Sequence, residues 1–115
     1  GWAGVDPSIM GIGPVPASRM ALDKAGMDVG DIDFWEINEA FSIVALYTVK
    51  ELGLDPDRVN VKGGAVAIGH PLAASGPRLT GTLARILHAE GGRYGVATLC
   101  GGGGQGGATI IEKTD

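Results

Sequence analysis

The sequence predicts a layered α/β fold in which most of the sheet is parallel and the last strand is antiparallel. Two observations carry that expectation. β-favouring runs recur between helical stretches, the pattern of strands joined by crossover helices. The last two such runs, YGVATLC at 94–100 and ATIIEK at 108–113, share only a glycine-rich link, GGGGQGG. That link is too short for a helix, so the pair reads as antiparallel. With 115 residues and 44% of them apolar, the chain is expected to form one globular unit spanning 1–115.

Each element follows in order. In PASRMALDKAGM, Ala17, Met20, Ala21 and Lys24 fall at helical spacing, with proline in the first turn and Gly26 as a stop, which predicts a helix over about 16–25. The turn-like DVGD leads into DFWEIN at 33–38, a short strand, and EAFSIVALYTVKEL continues it as a helix apolar nearly all round. A turn on DPDR precedes VNVKG, read as a further strand at 59–62, which runs into the loop GGAVAIGHPLAASG at 63–76. Ser75 is expected to cap the next helix and Pro77 to sit in its first turn. Leu79, Leu83, Ile86 and Leu87 give that helix one apolar stripe, stopped by Gly91 and Gly92.

Composition excludes several classes. The formal charge is −4 and the nine Lys and Arg are scattered, so there is no basic patch to grip nucleic acid. One cysteine cannot form an internal disulfide, and with no charged-then-apolar leader it points to a reducing, cytoplasmic compartment. The apolar runs are too short to span a bilayer. The 21 glycines fall in clusters, marking turns and close backbone approaches. The opening GWAGVDPSIMGIGPVP, without an initiator Met, reads as a strand cut across, so a fragment is expected.

Three chemically capable residues follow strand-like runs: Asn38, His70 and Cys100. Ligands of parallel α/β sheets bind at the carboxyl ends of strands, where these three would converge. Each also has a plainer reading: a helix cap for Asn38, a hydrogen-bonded structural residue for His70, a small buried hydrophobe for Cys100. His88 reads as a solvated helix-end residue, and one Cys with two His is too few for a zinc site, so no metal is expected. Gly101, Gly103 and Gly106 fit the G-x-G-x-x-G pattern of dinucleotide binders. That pattern needs a helix N-terminus after the glycines, and ATIIEK reads as a strand. What the glycines do allow is a bare backbone beside Cys100 whose amides can face a bound oxygen.

Taken together, NEAF at 38–41, GGAVAIGHPLAASG at 63–76 and LCGGGGQG at 99–106 resemble the thiolase family, in the family's order and approximate separation; GVDPSIMGIGPVPASRMAL is similar to it as well. The resemblance implies the C-terminal half of an acetyl-CoA acetyltransferase or 3-ketoacyl-CoA thiolase. Such enzymes run a reversible Claisen condensation of acetyl-CoA, or thiolysis of 3-ketoacyl-CoA, on two cysteines and with no cofactor beyond the coenzyme A thioester substrate. Carried over by motif, Cys100 is the acid/base thiol. His70 aids formation of the nucleophile's thiolate and donates to the thioester oxygen, and Asn38 holds a water that supplies the partner donor. Gly102 lends its N–H to a second oxyanion hole, while Ala40 and Phe41 line the pantetheine and acyl channel.

The chain departs from the family in having one cysteine, which matches the second half; the nucleophile belongs to the first. The first strand and helix of this half are also expected to be missing. The resemblance therefore implies an acyl-CoA-binding segment that is inactive alone, needs an N-terminal thiolase half, and belongs to a homo-oligomer of fatty acid metabolism. Without the missing strand, the runs at 33–37 and at 59–62 or 96–100 are expected to leave unpaired edges. The alternative is a non-catalytic assembly or CoA-binding subunit that pairs with a separate N-terminal polypeptide.

Overall fold

The computed structural model describes Gly1 to Thr114. Among the described residues, β1 (Trp2–Gly4), β2 (Phe34–Ile37), β3 (Tyr94–Gly101) and β4 (Gln105–Glu112) form one sheet in the order β1-β4-β3-β2. The helices are α1 (Pro14–Ala25), α2 (Ser42–Leu52), α3 (Ala65–Ile68) and α4 (Leu72–Glu90). None of them is long and apolar enough to cross a membrane.

Side-chain alternation along the strands separates two cores. Trp35, Ile37 and Val96 face Ala17, Ala21 and Leu22 of α1, with Ala45, Val49 and Leu52 of α2 packed alongside. Phe34, Ala97 and Leu99 face the stripe Leu79, Leu83 and Leu87 of α4. The sheet is thus a middle layer between α1 with α2 and α4. α4 comes very close to β3: a Cβ on Gly95 would lie 2.6 Å from Leu83 Cδ1. Helices α1, α2 and α4 stop at Gly26, Gly53 and Gly91, all in the left-handed conformation that lets glycine end a helix without a Cβ clash.

The mixed α/β class and the antiparallel β3–β4 pair agree with the sequence reading. The balance of the sheet does not: only β2–β3 is parallel, whereas β3–β4 and β1–β4 are both antiparallel. The opening run pairs with β4, through Trp2 opposite Gly107, and so adds a second antiparallel edge.

The expected strand at 59–62 is absent, apart from a single bridge between Val59 and Trp35. Asn60 adopts a left-handed backbone (φ 49°), which ends extension there. Its side chain replaces a strand: Oδ1 accepts from the Ile37 N–H at 2.8 Å and Nδ2 donates to the Ile37 carbonyl at 3.0 Å. The outer edge of β2 is therefore capped there, and β3 is paired on both sides, so neither leaves the bare edge expected for 33–37 or 96–100.

Two helix starts also differ. α2 begins at Ser42 and is buried on one side only; Ile43 and Leu46 are 64% and 66% exposed. α4 begins at Leu72 after Pro71, which places Ser75 and Pro77 inside the helix and not at its cap and first turn. Pro77 removes the donor that would meet the carbonyl of Ala73, a residue exposed to solvent, so water can satisfy it.

The glycine link at 101–107 is explained by close approach. Gly103 and Gly104 have φ of 81° and 83° and turn the chain between β3 and β4. A Cβ on Gly106 would lie 2.0 Å from the Gly13 carbonyl oxygen, and one on Gly104 would lie 2.2 Å from that of Val5. A strand follows these glycines, so the helix N-terminus that a dinucleotide site requires is not there.

Candidate active site

At the carboxyl ends of β2 and β3 lies a cavity of about 360 Å³. Met10, Ala40, Phe41, His70, Leu72, Leu99, Cys100, Gly101 and Gly102 line it. Of the residues singled out in the sequence, Ala40, Phe41, His70, Cys100 and Gly102 thus share one wall system. Asn38 is not among the lining residues, but its Nδ2 lies 3.4 Å from both ring nitrogens of His70. The equal distances centre the amide nitrogen between the two ring nitrogens, a contact that favours neither. Asn38 does not cap α2, whose N-cap is Phe41, so that plainer reading falls. His88 lies exposed in the last turn of α4, as expected.

The imidazole is held by its neighbours. His70 follows Gly69, whose φ of 90° suits glycine, and precedes Pro71. Its Nδ1 lies 2.6 Å from Ser75 Oγ, one turn into α4. The same hydroxyl lies 3.3 Å from the Pro71 carbonyl. Ser75 has one hydroxyl proton for these two contacts: given to Nδ1 it leaves the ring proton on Nε2, and given to the Pro71 carbonyl it leaves the ring proton on Nδ1.

The loop that carries His70 is anchored by the residue after Asn38. Glu39 Oε2 accepts from the Val66 N–H at 2.8 Å, at the start of α3, and Oε1 accepts from Asn60 Nδ2 at 3.0 Å. A Cβ on Gly64 would lie 2.5 Å from the Glu39 carboxylate, so glycine is what admits this clamp. Glu39 thereby links the end of β2 to the His70 loop.

Cys100 is a free thiol, 6% exposed, and burial pushes its pKa up. It therefore rests protonated at neutral pH, able to give a proton, and needs help from its surroundings to act as a base.

Behind the cavity lies a group that the sequence reading passed over. Glu36 is 0% exposed and both carboxylate oxygens lack a hydrogen-bond partner among the described residues. Burial drives its pKa up to about 7; Glu39 adds to the rise and Arg78 opposes it. The signal was available: Glu36 and Asn38 are two apart on one strand and so share the face toward α4.

Glu36 gives a testable pH dependence. Its folded value of about 7 lies above the ordinary 4.5, so the unfolded chain releases this proton first. Its stabilising contribution is complete below about pH 4.5 and is lost as pH rises through 7. The loss is on the order of 3 kcal/mol, from ~1.4 kcal/mol per unit of pKa difference. Urea unfolding between pH 5 and 8 should show this fall in the wild type, and Glu36→Gln should flatten it; equal slopes in the two proteins would contradict the assignment.

With this geometry established, comparison with known proteins gives a consistent result. The family description "Thiolase, C-terminal domain" matches residues 1–113. The chain is 54% identical over 114 residues to a 3-ketoacyl-CoA thiolase of Marinobacter nauticus, covering 96% of this chain and 29% of that protein. It is 53% identical over 111 residues to the cytosolic acetyl-CoA acetyltransferase of Mus musculus, covering 96% and 28%. Human mitochondrial 3-ketoacyl-CoA thiolase in complex with CoA superposes with a TM-score of 0.97 at 52% identity, over 99% of this chain and 29% of that one. The chain therefore spans less than a third of the length of these relatives. A family match along nearly its whole length, and a fold shared at this identity, establish that the chain belongs to the thiolase family, as its C-terminal domain.

Proposed function

We propose that the chain is the acid/base portion of a thiolase acting on acyl-CoA, in reversible condensation of acetyl-CoA or thiolysis of 3-ketoacyl-CoA. The observation that carries this reading is the convergence of His70, Cys100 and Gly102 on one cavity, with Asn38 against the imidazole. An α-proton next to a thioester is a far weaker acid than a thiol of ordinary pKa ~8.5, so a thiolate removes it only where the enolate oxygen meets pre-aimed donors. Once its resting proton has passed to solvent or to departing coenzyme A, the Cys100 thiolate takes the α-proton. His70 Nε2–H and a water held by Asn38 Nδ2 receive the negative charge on the enolate oxygen. The carbon so freed attacks the acyl group carried as a thioester by a second cysteine, whose thiolate leaves. In thiolysis the same steps run backwards, with Cys100 returning its proton to carbon. The Gly102 N–H serves the acyl-enzyme carbonyl, and Ala40 and Phe41 line the substrate channel.

The nucleophilic cysteine has to come from another segment, since Cys100 is the one cysteine of the sequence. Exposed apolar side chains support such a neighbour: Phe41 and Leu72, which line the cavity, and Ile43 and Leu46 of α2 are 60–83% exposed, and a covering segment would remove them from water. We assign this surface to the rest of the thiolase, in a homo-oligomer of the cytoplasm. Relatives named cytosolic and mitochondrial share this segment.

The purified chain should not thiolyse acetoacetyl-CoA, and adding a thiolase N-terminal half that carries the nucleophile should restore turnover. Thiolysis by the chain alone, or no turnover in the assembled protein, would refute the proposal.

A further inference from the structure

Asn38 presents a problem that its own chemistry does not solve. A carboxamide has an acceptor end and a donor end of nearly equal size, and it can hold a water as a donor beside His70 only when its NH2 faces that side. Asn38 is 0% exposed, so bulk solvent does not choose the orientation. The group that distinguishes the two ends is Arg78. Its Nη2 donates to Asn38 Oδ1 at 3.5 Å, whereas it is Nδ2 that lies nearest His70. A guanidinium carries donors and no acceptor, so it tolerates the amide oxygen and repels the amide NH2.

The fold places Arg78 for this. It stands three residues after Ser75 on α4, so the two side chains lie on one face of the helix. Ser75 reaches His70, and Arg78 reaches Asn38. The charge on Arg78 is itself partly desolvated: its Nε is buried without a hydrogen-bond partner. Glu36, two residues before Asn38, is also fully buried, and the Arg78 charge partly offsets the rise that burial imposes on its pKa.

We propose that Arg78 is a positioning residue that fixes the Asn38 carboxamide with its oxygen toward the guanidinium and its NH2 toward His70. Arg78 touches no substrate in this arrangement; it acts through Asn38. The geometric part stands independently of the reaction, while the kinetic consequence rests on the thiolase reading above.

Nuclear Overhauser spectroscopy of the 15N-labelled chain tests the geometry. In the wild type, the Asn38 side-chain NH2 protons should show cross-peaks to the His70 ring proton on Cε1, and Arg78→Lys, which keeps a donor-only cation, should retain them. Arg78→Met should lose them or split the amide into two populations, with the backbone amide spectrum otherwise preserved. Cross-peaks that persist unchanged in Arg78→Met would overturn the proposal. So would wild-type cross-peaks from the NH2 to Arg78 in place of His70, a result that stands even where the methionine variant fails to fold. In the protein assembled with the nucleophile-bearing half, Arg78→Met should lower kcat at least about tenfold with KM changed less than about twofold, as loss of alignment predicts. Turnover absent in the assembled wild type would defeat the thiolase reading while the cross-peaks still decide the positioning role.

Discussion

Replacing Gly106 by alanine should destabilise the chain by at least about 3 kcal/mol, the upper end of overpacking penalties. The added Cβ would lie 2.0 Å from the Gly13 oxygen, 2.3 Å from its carbonyl carbon and 2.8 Å from its Cα. All three are backbone atoms, so no rotamer change relieves the clash. Nor is either backbone free to move. Gly106 sits in β4 between β1 and β3, opposite Ala3 on one side and Cys100 on the other. Gly13 leads into α1, and its carbonyl accepts from the Ala17 N–H at 3.2 Å. Relief would require prising α1 from the sheet, which would open the core around Ala17, Ala21 and Leu22. At ~4 °C per kcal/mol for a domain of this size, the melting temperature should fall by more than about 10 °C. A shift under 2 °C would mean that α1 does not pack on β4 as described.

Gly106 also shows how far the letters carried. The link at 101–107 was read correctly as a bare backbone beside Cys100, because composition and spacing identify glycine clusters directly. The reason for each glycine was not legible, since it depends on which segment crosses over β4. The same limit governs the sheet. Alternating strands and helices identify the class, but pairing direction depends on contacts between distant segments, and Trp2–Gly4 pairs with residues more than a hundred positions away.

At 59–62, apolar residues gave a strand signal, yet Asn60 turned out to supply the edge bonds through its side chain. No periodicity encodes that substitution of side chain for backbone. Ser75 illustrates a related ambiguity. A serine shortly after a proline in a glycine-rich loop suits a helix cap, and helix α4 starting one turn earlier converts it into the partner of His70.

The site itself was more legible than its support. Asn38, His70 and Cys100 stand out because polar or nucleophilic residues at strand ends are few in this chain. Glu36 and Arg78 stand out less: one lies within a strand, the other within a helix, and burial of the Glu36 carboxylate and of the Arg78 Nε without partners is what marks them. Their importance arises from desolvation, a property of the packed state that a linear pattern does not display.

The central claim is that Cys100 moves an α-proton while His70 and Asn38 hold the resulting charge. Deuterium incorporation into the methyl group of acetyl-CoA isolates that step from carbon–carbon bond formation. In heavy water, the protein assembled with its nucleophile-bearing half should exchange these protons. The exchange should survive loss of the nucleophilic cysteine, yet fall at least about a hundredfold in Cys100→Ser, the lower range for removal of a general acid/base group. Exchange that proceeds undiminished in Cys100→Ser would contradict the account.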